Sequence, residues 1–194
     1  MRKLKSLFTL HVAFVLVACK PAPNNPITTV ERVDLERFMG DWYVIANIPT
    51  FVERDAYNAV ESYRLTDEGT VATTFTFRRG GFDGERKVYT PTGFVRDRES
   101  NAVWGMQFIW PIKADFRIVY LDEDYTQTII GRNKRDYVWI MARSPSIPET
   151  DYQFMLRLLA EEGYDIDQIQ RVPQRWPEPA EQAARQDATW EHNG

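Results

Sequence analysis

The chain of 194 residues is poor in the side chains that most often carry chemistry: one cysteine, Cys19, and two histidines, His11 and His192, at opposite ends. A single thiol excludes an intramolecular disulfide and any multi-cysteine zinc site, and histidines so placed supply neither an imidazole metal centre nor a Ser-His triad. Positive charge is also in short supply. The 24 Lys and Arg stand against 28 Asp and Glu, a net charge of −4, so no global basic field draws nucleic acid, which is not an expected partner. What is present is ordinary for one soluble domain, 43% hydrophobic and 27% charged, with one exception. Aromatic residues make up 13% of the chain, six Trp, nine Tyr and eleven Phe, and they require a core, a cavity or an interface to hold them.

The first residues read as a secretory signal. Arg2, Lys3 and Lys5 form a basic start, and Leu7 to Ala18 is an uncharged apolar run too short for a comfortable membrane span. The run ends Leu16-Val17-Ala18-Cys19, which resembles the lipobox of bacterial lipoproteins. That resemblance implies cleavage after residue 18 and a diacylglycerol- and palmitate-bearing Cys19 at the new N-terminus. Lys20, where an Asp is absent, implies onward export to the outer membrane. Loss of residues 1–18 leaves 21 basic against 28 acidic side chains, a net charge of −7. Pro21 to Pro26 forms a Pro/Asn spacer, so residues 19–30 are expected to be anchor and tether.

From Trp42 to Arg143 the chain carries eight runs rich in Val, Ile, Thr, Tyr, Phe and Trp, near 41–48, 57–65, 70–78, 86–96, 102–110, 115–121, 125–131 and 137–143. Hairpin-length connections rich in Gly, Asp and Asn favour antiparallel neighbours in sequence order, and no helix interrupts them. Eight such strands remove their exposed edges most simply by closing into an all-β, eight-stranded antiparallel up-and-down β-barrel, a sandwich being the alternative. Alternation supports an interior: Trp104, Met106, Phe108 and Trp110 share one parity of the fifth strand. After Ser144-Pro145 the pattern Thr150-x-x-Gln153 predicts a capping box, opening a helix that ends before Gly163 and lies outside the barrel over Val138 and Ile140. Residues 169–172 could add a ninth strand, and the polar tail 174–194 is expected to be poorly ordered.

Gly40-Asp41-Trp42-Tyr43, Leu121-Asp122-Glu123-Asp124-Tyr125 and Arg143 at the end of the last strand resemble the three signature regions of the lipocalins. The resemblance covers residues 31–173 and is strongest to the bacterial outer-membrane lipoproteins of that family, the subgroup similar to apolipoprotein D, through Arg135-Asp136-Tyr137-Val138-Trp139-Ile140-Met141-Ala142-Arg143. An eight-stranded barrel is just wide enough to be filled or to hold one small ligand, so one end must be closed. Gly40, Trp42 and Arg143 are the expected structural plug, an indole and a guanidinium stacking for roughly 0.5–2 kcal/mol.

Fixing Trp42 and Arg143 inward makes Val44 and Ala46 inward on the first strand, and Tyr137, Trp139 and Met141 inward on the eighth. Phe75 and Phe77 follow from the third strand, and Trp104, Met106 and Phe108 from the fifth. The family resemblance adds Phe116, Ile118 and Tyr120 on the sixth, and Glu61 and Tyr63 on the second. With Val44, Ala46 and Tyr137 set apart, these twelve ligand-wall candidates describe an aromatic, elongated cavity suited to an acyl chain, unless the same side chains fill the interior. Glu61 in such a wall either selects a polar ligand head or is a structural carboxylate partnered by Arg78 or Tyr63. The loops Arg78 to Gly84 and Trp110 to Lys113 fall at one end, with Phe82, Trp110 and Ile112 as apolar contacts and Lys113 or Arg79 as bases for an anionic head, or are solvated turns.

The resemblance implies a lipid-anchored, periplasm-facing carrier of fatty acids or lysophospholipids that serves envelope maintenance and transport, without cofactor, metal or catalytic role, as monomer or homodimer. Two other classes stay open. One is an enzyme on the same scaffold using Glu61 and Tyr63 as acid and base; the other is a structural envelope lipoprotein with a filled barrel.

Overall fold

The computed structural model describes residues 25–178. The signal-like segment, Cys19 and the tail beyond residue 178 lie outside the described residues. A short helix α1 (Leu35–Phe38) precedes β1 (Gly40–Ile48), and β2 (Ala56–Leu65), β3 (Val71–Arg79), β4 (Arg86–Tyr89), β5 (Thr92–Val95), β6 (Val103–Ile109), β7 (Ile112–Leu121), β8 (Gln127–Gly131) and β9 (Val138–Ala142) follow. Each pairs antiparallel with its neighbour, and β9 returns to β1 through Tyr43↔Ala142, Val44↔Met141 and Ile48↔Val138, closing the barrel. The expected fourth strand is split. Thr90-Pro91 separates β4, which pairs with the far half of β3, from β5, which pairs with β6, because proline cannot donate to a ladder; β4 and β5 together fill one of eight positions in the barrel.

The register shifts at four places in the barrel, and two of these shifts, in β1 and β7, overturn the expected alternation. In β1 the register shifts between Val44 and Ala46, so Ile45 and Ala46 both join the apolar layer under the C-terminal helix, and Asn47 takes the place opposite Trp139. Ala46 is therefore outside the barrel, contrary to the parity expectation. In β7 the shift falls between Ile118 and Tyr120, which turns Tyr120 outward as well.

The helix α2 (Glu149–Glu161) lays Tyr152, Met155 and Leu159 over Ile45, Ile129, Val138 and Ile140. Its start differs from the expected capping box: Pro148 occupies the N-cap without a side-chain bond, and the Gln153 amide donates to Glu149 at 2.9 Å within the first turns. A short strand β10 (Gln170–Arg171) pairs with β1 at Asn47 and Ala46, on the stretch where the bulge turns it outward. Beyond it, Gln174 donates to the Val44 and Ala59 carbonyls, Arg175 N–H to Asn58, and Glu178 holds Arg78 at 2.7 Å. The strap of chain before α1 runs the other way, from the β8–β9 loop, where Ile27 N–H donates to Asn133, past Ile118 in β7 to Tyr125.

Candidate functional site

One end of the barrel is closed by chemistry that the local sequence dictates. Phe38 and Trp42, four residues apart across the α1–β1 junction, pack their rings 5.1 Å apart, and the Trp42 indole donates to the Phe38 carbonyl at 2.9 Å. The Arg143 guanidinium lies 3.8 Å over the indole and donates to the carbonyls of Arg37, Phe38 and Met39 at 2.8–3.0 Å and of Asp41 at 2.8 Å. With Tyr125, reached at 3.3 Å, the guanidinium serves five backbone acceptors, of which the Phe38 carbonyl has the Trp42 indole as a second donor. Gly40 lies against this group at φ +94°, and a Cβ there would stand 3.3 Å from the guanidinium, so both conformation and space call for glycine.

Above the plug the aromatic surplus fills the lower part of the barrel. Trp104 stacks on Phe116 at 5.0 Å and meets Phe38 and Tyr63 edge-on, while Phe77, Ile118 and Met141 are fully buried in the same core. Of the expected ligand wall, Tyr63, Phe77, Trp104, Ile118 and Met141 thus sit in packed core rather than at an open surface.

The remaining height is hollow. An inner chamber of about 170 Å3 is walled by Phe75, Met106, Phe108, Phe116, Trp139 and Glu61 from the expected set, and by Thr50, Val52, Glu53, Ala114, Asp115 and Arg132. A vestibule of about 470 Å3 adjoins it, sharing Thr50, Val52 and Phe108 in its wall and adding Phe51, Ile109, Tyr89 and Tyr137. Phe108 stands between the two and is half exposed. Tyr120 is on neither; its ring packs against Phe154 of α2 at 5.5 Å, as the β7 bulge requires.

Three carboxyl groups border the inner chamber; Asp115 is paired with Arg117 at 3.0 Å, and the other two are buried without a cation among the described residues. Glu61, 8% exposed, accepts a short hydrogen bond from the Tyr63 hydroxyl, and burial together with the nearby Glu53 charge pushes its pKa up to about 7. Arg78, the other partner considered for Glu61, is held by Glu178 instead. Glu53, from the β1–β2 loop, accepts from Thr50 N–H at 2.8 Å and from the Trp139 indole at 3.2 Å, and burial raises its pKa too. Tyr63 is driven well above the ordinary phenol range by burial and by Glu61. One cation borders the chamber: Arg132, 3.5 Å from Asp136 and 5.1 Å from the Tyr137 ring centre.

Glu53 and Arg132 were missed by alternation because they come from loops, where no period operates. The usable signal was their placement in the β1–β2 and β8–β9 connections, which strand direction assigns to the open end. Phe82, expected at that mouth, instead packs edge-on to Tyr57 at 5.1 Å under Arg175, and Lys113 caps the Phe94 ring at 3.4 Å. Among the described residues no cluster of three His, Cys, Asp or Glu side chains could hold a metal ion.

A family model described as a lipocalin-like domain matches residues 33–174. Over 178 residues the chain is 28% identical to the outer membrane lipoprotein Blc of Citrobacter freundii, covering 90% of this chain and 98% of that protein. Temperature-induced lipocalin-1 of Arabidopsis thaliana is 29% identical over 174 residues, covering 85% of this chain and 92% of its own. Insecticyanin from the tobacco hornworm Manduca sexta superposes with a TM-score of 0.64 at 13% identity, over 82% of this chain and 90% of that one, a likeness of fold alone.

Proposed function

The chain belongs to the lipocalin family, and from that premise we propose that it binds single-chain lipids, fatty acids or lysophospholipids, as an outer-membrane lipoprotein anchored through Cys19 with its barrel facing the periplasm. The observation that carries the reading is the stepped cavity. The inner chamber is below the roughly 300–1,000 Å3 of small-molecule sites, and the vestibule brings the whole into that range. Its wall is aromatic and aliphatic at depth, which suits an acyl chain inserted tail first. Arg132 at the upper wall suits a carboxylate or phosphate above it. Glu61, its pKa pushed up to about 7, and Glu53, raised in the same direction by burial, are less costly beside an apolar chain than two ordinary carboxylates would be.

A chemical step is disfavoured by the same geometry. Of the acid and phenol that could exchange a proton, Glu61 borders the chamber and Tyr63 lies in packed core, with its proton held by burial. The role is therefore binding and carriage.

The test is extraction of the purified protein followed by mass spectrometry of released lipid, with titration of fluorescent acyl and lysophospholipid probes read by tryptophan quenching. Co-purified single-chain lipid and saturable quenching are the expected results. An empty extract with no saturable binding refutes the proposal. Palmitate labelling of wild type and Cys19→Ser tests the anchor separately.

A further inference from the structure

The open end of the barrel carries large apolar side chains that none of the described residues covers. Phe51 is 80% exposed at the tip of the β1–β2 loop, and Ile109, Trp110 and Ile112 are 73%, 83% and 68% exposed at the β6–β7 hairpin. All four lie at one end, on the β1–β2 loop and the tip of the β6–β7 hairpin, because β1 and β6 run toward it and β2 and β7 run back. Single exposed apolar residues are unremarkable, but aromatic and aliphatic tips gathered around one opening mark an interaction surface.

The start of the described chain lies at the same end. Asn25 is held there, its carbonyl accepting from Arg135 of the β8–β9 loop at 2.9 Å, and Ile27 N–H is bound to Asn133 of that loop. Cys19 precedes Asn25 by six residues, and at ~3.3–3.6 Å per residue that length reaches about 20 Å at most. An acylated Cys19 therefore holds the open end, not the plugged end, within about 20 Å of the bilayer.

Charge at this end is compatible with an anionic leaflet. Arg54, Arg79, Lys113 and Lys134 are exposed around the apolar tips, while the loop acids Asp83, Glu85 and Asp136 are engaged by Arg175, Lys87 and Arg132, leaving Asp55 as the other exposed acid of these loops. Tryptophan with flanking bases is the composition of a membrane-water interface.

We propose that the mouth of the barrel docks on the lipid bilayer, with Phe51, Ile109, Trp110 and Ile112 inserted in the interfacial layer, so that the cavity opens directly onto the leaflet. The proposal rests on the anchor and lipid-binding reading for its purpose, and on the exposed rim for its geometry. A docked mouth lets a single-chain lipid enter the vestibule without crossing water, and it places Arg132 at the depth where head groups begin. Insertion of such side chains reaches about 5–10 Å into the interface, the scale of a loop tip.

The test separates docking from anchoring. In the full-length chain carrying Cys19→Ser, an environment-sensitive fluorophore is placed at Ile112→Cys, and, as a control at the plugged end, at Glu68→Cys in the β2–β3 turn. Vesicles of phosphatidylethanolamine and phosphatidylglycerol are expected to blue-shift the first and leave the second unchanged. Phe51→Ser with Trp110→Ser is expected to lower vesicle partition roughly tenfold or more, since each removes an apolar side chain from the interface. Equal response at both positions, or none, overturns the proposal. So does a shift at position 112 that grows with protein concentration in the absence of vesicles, which assigns the rim to a second copy of the chain. A fluorophore response to vesicles in a protein whose wild-type Cys19 takes no palmitate keeps the docking and removes the anchor; palmitate on Cys19 with a silent rim does the reverse.

Discussion

Replacing Glu61 by glutamine is expected to make the protein more stable at neutral and alkaline pH and to leave it unchanged in acid. The carboxyl is buried, its folded pKa is raised from 4.5 to about 7, and the causes are desolvation first and Glu53 second, opposed by the Tyr63 hydrogen bond. A group that holds its proton more tightly when folded favours unfolding as pH rises through the window between the two values. Wild-type stability should therefore carry a loss between pH 4.5 and 7 that becomes constant above it, amounting to about 3 kcal/mol for a shift of this size. Glutamine keeps an oxygen for the Tyr63 hydroxyl and never ionises, so the loss disappears. Urea unfolding of wild type and Glu61→Gln at intervals from pH 4 to 9 measures this as a difference, in which the other carboxylates largely cancel. A difference that stays flat across pH 4.5–7, or a variant less stable than wild type at pH 8, would refute the reasoning.

Arg143→Ala leaves the carbonyls of Arg37, Met39 and Asp41 without this donor, leaves Phe38 with the Trp42 indole alone and bares Trp42, and should cost about 3–5 kcal/mol in urea unfolding, with the near-ultraviolet signal of the plug lost. Gly40→Ala is expected to cost about 1–2 kcal/mol by the same assay, since the side chain meets both a left-handed backbone and the guanidinium. Arg132→Met should weaken anionic single-chain lipids about tenfold in probe titrations while sparing uncharged ones, as removal of one charge-assisted contact predicts. Tyr120→Phe should leave lipid affinity unchanged, because that ring packs under α2 and not on the cavity; a change in affinity would contradict the β7 bulge.

The fold was legible because alternation, hairpin-length turns and one amphipathic helix all depend on local sequence, and each points to a closed antiparallel barrel. Alternation carried correctly along β6, where Trp104 and Met106 both face inward, and failed where one extra residue enters a ladder. Nothing in Val44-Ile45-Ala46 or Ile118-Val119-Tyr120 announces a bulge, since bulges answer to the curvature of neighbouring strands rather than to their own side chains. The split of the fourth strand had its cue in Pro91. The height at which the interior passes from packed to hollow was not legible: Trp104 and Phe116 share composition with Trp139 and Phe75, and only their neighbours across the barrel decide which of them border open space. Loop residues of the site, Glu53 and Arg132, were invisible to any periodic argument for the same reason that loops have no period.

Arg143 joins parts of the chain that are made far apart in time. Its donors reach back 102 residues to Asp41 and 106 to Arg37, while β1 needs β9 for one of its two edges. A chain emerging N-terminus first therefore has α1 carbonyls without a donor and an unpaired β1 edge until nearly the whole barrel has been made. Contacts of such sequence separation form late and slowly. The clasp that seals the finished barrel thus delays its own closing until β9, the last barrel strand, has been made.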